Sequence, residues 1–223
     1  MAHHPPHQNT RLAALQKWSA ALAFLGFPTF FIVANLLHPN LLHHKALADA
    51  SGWIAHFRGQ EWLHLAHALE FFSAPLLIII ALHYMGRLRD RAPWLGFIGG
   101  CLAIFGALML IGNKSAFCLT ISAFDTLSDP ELTAMTPALD ALLQKKSWLA
   151  LLLLLPLLPL GFLLLGLALF RSGIIPRWQG ILIMIGSGLL LNPEIEIVNL
   201  TASIILLIAF FPYALNIIKG GLR

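Results

Sequence analysis

Charge is what this 223-residue chain has least of: Asp, Glu, Lys and Arg together make up 11%, against about 25% in ordinary soluble domains. With 58% hydrophobic residues and a mean hydropathy of +0.80, a soluble fold of this size has no interior large enough to hide its apolar surface, whereas a bilayer solvates it. Cysteine is almost absent too. Cys101 and Cys118 stand 17 residues apart on one apolar stretch, ~25 Å along a helix, too far to pair with each other. With no CxxC there is no disulfide framework. The chain contains no Gly-x-Ser-x-Gly, P-loop or GxGxxG, so acyl transfer and nucleotide-dependent chemistry have no support. No basic face with interleaved polar residues exists, which excludes nucleic acid as a partner. No histidine follows His83; a bis-histidine haem would need His38 as its second ligand, and haem is disfavoured.

What is present is a series of apolar runs long enough to cross a membrane. They predict an all-α polytopic bundle of six transmembrane helices, at about 18–37, 62–85, 94–114, 148–170, 178–191 and 199–218, in one domain spanning 18–218. The charges are sorted between the loops. Arg11, Lys17, Arg87, Arg89, Arg91, Arg171, Arg177, Lys219 and Arg223 fall on one side, with Asp90 as the lone acid there. The positive-inside rule makes that side cytoplasmic and puts both termini on it: a flexible tail at 1–17 and a short one at 219–223. The first run is about 20 residues and has no small-x-small cleavage site after it, so it is read as an uncleaved span.

Between the spans, two outer segments have amphipathic character, about 41–56 and 125–147. In the second, Leu132, Met135, Leu139, Leu142 and Leu143 recur at helical spacing. Gly96, Gly100 and Gly106 give span 3 a smooth packing face. The apolar run from Trp94 to Phe124 exceeds one span, and Gly112-Asn113-Lys114-Ser115 either ends the helix or is crossed by it. Pro156 and Pro159 predict a kink in the leucine-rich span 4. Span 5 meets Asn192-Pro193 after only 14 residues.

The turn Ile175-Pro176-Arg177-Trp178-Gln179-Gly180 at the start of span 5 resembles one found in small multi-pass bacterial membrane protein families of unknown function. The resemblance covers about twenty residues and implies a helical protein of the bacterial inner membrane, with no activity and no functional residue attached.

Chemistry-bearing side chains concentrate on the outer side. Glu61, His64, His67 and Glu70 recur every third residue at the start of span 2, which places them along one face of a helix. Counting from Trp62 at the interface, Glu70 lies ~12 Å deep, close to the bilayer midplane, where a carboxylate must be protonated, paired or turned to a polar cavity. His38, His56, Lys114, Glu194 and Glu196 fall at the same level and complete a candidate pocket. Histidine with carboxylate suits zinc or a similar divalent ion, with His64, His67 and Glu70 as the metal set. Below Glu70, span 2 reads Phe-Phe-Ser-Ala-Pro-Leu-Leu-Ile-Ile-Ile, which favours a dead-end site over a through-channel. Three readings are open. One is a pocket for a metal ion, a proton or a small solute. Another is a non-catalytic accessory subunit that meets partner subunits or further copies of itself within the bilayer. The third is a membrane-embedded enzyme acting at the outer leaflet. The sequence leans away from the enzyme.

Overall fold

The computed structural model describes residues 7–39, 41–42, 49–192 and 195–220. Among them there is no strand. The helices are α1 (His7–Leu37), α2 (Ala50–Phe57), α3 (Glu61–Leu88), α4 (Pro93–Asn113), α5 (Thr120–Ser122), α6 (Asp129–Leu143), α7 (Leu157–Ser172), α8 (Arg177–Leu189) and α9 (Glu196–Ile218). A π-helical turn, Lys114–Leu119, joins α4 to α5, and 3₁₀ segments occupy Ala123–Thr126 and Ser147–Leu154.

Five stretches are long and apolar enough to cross a membrane: Arg11–Leu37, Glu61–Leu88, Pro93–Thr126, Ser147–Ser172 and Glu196–Ile218. The protein is an all-helical, multi-pass membrane protein. The expected fifth span corresponds to α8, whose 13 residues reach only ~20 Å against a hydrocarbon core of ~30 Å. It nevertheless packs between α7 and α9, and the six long elements form a ring in the order α1, α3, α4, α7, α8, α9, closed by α9 against α1. His38 meets Glu196 at one end of the α1–α9 pair, and Phe24 meets Phe210 further along. The two helices are therefore antiparallel, and α1 begins at the end of the bundle where α9 finishes. That end also carries the α3–α4 and α7–α8 turns with their arginines, and is called here the arginine end; the opposite one is the histidine end.

Residue chemistry explains the local breaks. The α3–α4 turn is followed by Pro93 in the first turn of α4, and α8 starts immediately after Pro176; proline lacks the N–H that a helix start leaves unbonded anyway. α7 ends on Gly173 at φ 65°, a left-handed position that glycine takes without strain. Pro156 and Pro159 deny the preceding turn its ordinary hydrogen bonds. The chain from Ser147 to Leu154 accordingly winds as a 3₁₀ helix before α7 begins, and the predicted kink is a full change of helix type. α1, by contrast, runs unbroken through Pro28 and extends back to His7, into the stretch expected to be a tail.

Helix contacts use small residues for backbone approach, since lipid supplies no hydrophobic drive between helices. A Cβ on Gly161 would sit 2.2 Å from the Ala103 nitrogen, and one on Gly106 2.1 Å from the Leu158 nitrogen, so α4 and α7 touch backbone to backbone. Gly96 and Gly100 instead receive Leu88 and Met85 from α3. Phe24 fills the centre of the arginine half, edge-on to His83, Tyr84, Phe210 and Tyr213 at 5.0 to 5.5 Å between centroids. His83 Nε2 lies 2.9 Å from the Tyr213 hydroxyl.

At the histidine end a second, smaller core forms outside the ring. Ala50 and Trp53 of α2, Leu63, Phe117, Cys118 and Ile121 of the π-turn region, and Leu132 and Leu139 of α6 bury one another. Within the 125–147 segment α6 occupies Asp129–Leu143, and its Leu132 and Leu139 meet α2 and the π-turn region. Of the 41–56 segment, only Ala50 onward is seen as helix, and residues 43–48 lie outside the described residues. Polar latches hold this cap. The Ala50 amide donates to Asp140 at 2.9 Å, and Arg58 pairs with Asp129 and donates to the Leu127 carbonyl at 2.8 Å.

Candidate ligand pocket at the histidine end

α3 carries His64, His67 and Glu70 along one face, and the structure gives each a different neighbour. His64 Nε2 lies 2.8 Å from Asp125 Oδ2, tying the start of α3 to the 3₁₀ turn below the cap. His67 is buried and stands edge-on to His38, 5.9 Å between ring centroids. Glu70 forms an ion pair with Lys114. His38, at the end of α1, reaches Glu196 of α9, 3.5 Å from Nε2 to Oε1. His38, His67, Glu70, Lys114 and Glu196 therefore converge from α1, α3, the π-turn and α9. His64 belongs to the adjoining latch, and His56 lies close enough to act on the charge of His38.

Lys114 owes its position to the π-turn that it opens. The Thr120 amide bonds to the Ser115 carbonyl, five residues back, in place of the usual four. The wider turn shifts the helical register of the chain beyond it; such single π-turns in α-helices cluster at functional sites. The helix therefore continues past Gly112-Asn113, with Lys114 as the pivot. Glu196 and Cys118 lie within electrostatic reach of the Lys114 ammonium.

His38 lies just beyond the membrane-spanning stretch of α1. Burial first, then the Lys114 ammonium and His56, push its pKa down to about 4. At neutral pH it is an uncharged imidazole whose contact with Glu196 is polar, not ionic. Its Nδ1 is buried with no hydrogen-bond partner among the described residues.

Beside this cluster opens a cavity of about 420 Å³, within the usual size of small-molecule sites. Its polar lining is Glu70, Asn113, Lys114, Lys145 and Asn199. Its apolar lining is Phe31 and Leu110, the wall Leu152, Leu153, Leu155, Pro156, Leu158 and Pro159, and Leu190 and Leu191 beyond α8. Leu153 lines the cavity yet is 59% exposed, so this wall is one residue thick. The cavity narrows downward into a slit that shares Phe31, Leu158, Pro159 and Leu190 and is lined also by Ser187, whose buried hydroxyl has no partner among the described residues.

Lys145 enters the lining from the link between α6 and the 3₁₀ segment. It and Ser147 have positive φ, 48° and 56°, a conformation that costs non-glycine residues ~1–2 kcal/mol each. Its ammonium lies 5.4 Å from the centroid of the Phe117 ring. Sequence reasoning misses Lys145 as a pocket residue, and sees Asn199 only as the start of a span. For Lys145, the one local signal is a lysine pair separated by Ser147 from the interfacial Trp148.

Among the described residues, no group of three or more His, Cys, Asp or Glu side chains is arranged to hold a metal ion. The set His64, His67 and Glu70 does not gather as one: the glutamate faces Lys114 and His64 faces Asp125. Glu194 lies outside the described residues.

A family model described as a domain of unknown function, DUF4386, matches residues 14–218. The chain belongs to this DUF4386 family. The match runs from the first long helix through the last, so the ring, the cap and the pocket all lie within the family domain. It agrees with the resemblance seen in the 175–180 turn. No curated protein and no solved structure matches the chain.

Proposed function

We propose that this DUF4386 protein is a six-span protein of the bacterial inner membrane whose histidine end faces away from the cytoplasm and binds a small solute in the 420 Å³ cavity. The observation that carries the reading is the convergence of a buried ion pair, Lys114–Glu70, with Asn113, Asn199 and Lys145 on a leucine and proline wall. An ion pair in a membrane helix bundle is costly unless it serves a cavity or a partner, and here it borders a cavity. The short α8 is counted as the sixth span because it completes the ring; a tilted neighbour or a locally thin bilayer accommodates its length. Arginines at the opposite end support a cytoplasmic position for that end.

Below the pocket the ring closes on Phe27, Leu77, Phe162 and Phe210, which supports a dead-end binding site over a conduit. The test is side-specific labelling. Asn199→Cys is introduced with Cys101→Ser and Cys118→Ala, and intact cells with a permeabilised outer membrane are treated with a charged, membrane-impermeant thiol reagent. The reading expects modification without disrupting the inner membrane, and modification of Arg89→Cys only after it is disrupted. Labelling of Asn199→Cys only after disruption would reverse the orientation, and none under either condition would remove the open pocket.

A further inference from the structure

The chemistry of the pocket narrows what it takes. We propose that it binds a single-chain amphiphile with a singly charged carboxylate head, a fatty acid of medium length; this rests on the reading of the cavity as an open solute site. Two lysines and one glutamate line it. Lys114 is matched by Glu70. Lys145 sits over the Phe117 ring, and among the described residues no carboxylate lies within ion-pair distance of it. Glu196, within electrostatic reach of Lys114, faces His38 and does not line the cavity. Among the described residues the lining thus has one lysine more than it has carboxylates, which complements a monoanion, and Asn113 and Asn199 add polar contacts at the same level.

The rest of the cavity suits a hydrocarbon chain. Leu152, Leu153, Leu155, Leu158 and two prolines offer no side-chain hydrogen bond, and the packed residues below them end the apolar space. A volume of about 420 Å³ holds one chain with its head and not a two-chain phospholipid. The thin wall at the exposed Leu153 lies where lipid tails would be, so a chain can enter sideways while its head stays at the lysine level. The 3₁₀ winding of that wall is longer than the three or four residues usual for such segments, and its hydrogen-bond geometry is poorer than an α-helix's.

The test uses the full chain in phosphatidylcholine nanodiscs with a photoactivatable probe, tetradecanoic acid bearing a chain diazirine, and the matching alcohol as control. The expected result is acid-dependent crosslinking within Leu152–Pro159. It should be competed by dodecanoate and not by dodecanol. Lys145→Met should weaken it about tenfold or more, and Leu153→Trp should abolish it by filling the space. Equal crosslinking by acid and alcohol, or an unchanged Lys145→Met, would overturn the proposal. Preferential competition by lysophosphatidic acid would overturn the carboxylate assignment in favour of a phosphate head. Thiol labelling of Asn199→Cys on the same nanodiscs separates the failures: if it is labelled and no acid binds, the ligand is wrong and the pocket stands; if it is not labelled, the pocket reading falls and this proposal with it.

Discussion

Lys114 and Glu70 are ion-paired across the α3–α4 hairpin, one from a π-turn and the other from nearly three turns into α3. Their side chains are only 17% and 13% exposed. Removing one partner leaves a nearly buried charge alone, which costs more than the pair itself is worth.

Lys114→Met is therefore expected to destabilise the protein by ~3 kcal/mol, at the lower end of the range for buried pairs because some exposure remains. The double variant Lys114→Met/Glu70→Gln should recover most of that loss. Thermal unfolding in detergent, taken as a double-mutant cycle, measures the coupling. An additive pair would show that the two charges do not depend on each other.

The α4–α7 contact is set by backbone approach. Gly161→Ala would place a methyl 2.2 Å from the Ala103 nitrogen and 2.6 Å from the Gly99 carbonyl oxygen, atoms that move only if the helices do. A loss of at least ~1–3 kcal/mol is expected. Gly188→Ala meets nothing within 4 Å and should be neutral or slightly stabilising, since alanine is the better helix former. Melting temperatures of the two variants decide it.

His38 makes stability depend on pH with a definite sign. An unfolded histidine titrates near 6.5, whereas His38 is held down to about 4. Between these values the unfolded chain takes up a proton that the native one does not. The contribution of His38 is therefore complete above pH 6.5 and is lost as pH falls toward 4, by about 3 kcal/mol in total. The groups facing it are Glu196, Lys114, His56 and His67. His38→Gln should flatten unfolding stability between pH 6.5 and 4; an unchanged slope would assign the dependence to another group.

How far the sequence foretells this arrangement depends on how local the cause is. Trp62, Trp94 and the arginine loops mark the spans, and helices begin within a residue or two of the expected starts in α3, α4 and α8. Those boundaries are set by proline, charge and hydropathy along the chain itself. Glu70 is legible as a carboxylate that needs a partner, because its depth depends only on helical rise. That Lys114 is that partner is legible only as one alternative, since a lysine at that depth can also snorkel outward or reach toward Glu194, and no residue pattern announces the π-turn. His64 and His67 look equivalent at i and i+3, yet one faces Asp125 and the other His38. Which neighbour each one meets is decided by helices far away in sequence. The cavity wall reads in sequence only as a proline kink, because a void depends on what fails to pack against it.

The cap over the pocket should respond to its own helix start. The Glu131 carboxylate accepts from both the Ser128 amide and hydroxyl, at 2.8 and 2.7 Å, so the third residue of the helix reaches back to its cap. These bonds hold the Glu131 pKa below the ordinary carboxylate value. Their stabilisation is present above the ordinary value of 4.5 and fades as pH drops below it. Ser128→Ala should cost α6 ~1 kcal/mol, read as faster amide hydrogen exchange across Asp129–Leu143 with α3 and α4 unaffected.

The most direct test of the pocket is the rate at which a small hydrophilic thiol reagent modifies Asn113→Cys in bilayers, with Cys101→Ser and Cys118→Ala, alone and combined with Leu152→Trp. Both side chains line the same cavity. Ready modification that slows about tenfold when the indole fills the space is the result predicted from a water-open site around Lys114 and Glu70. Equal rates in the two proteins, or no modification in either, would contradict it.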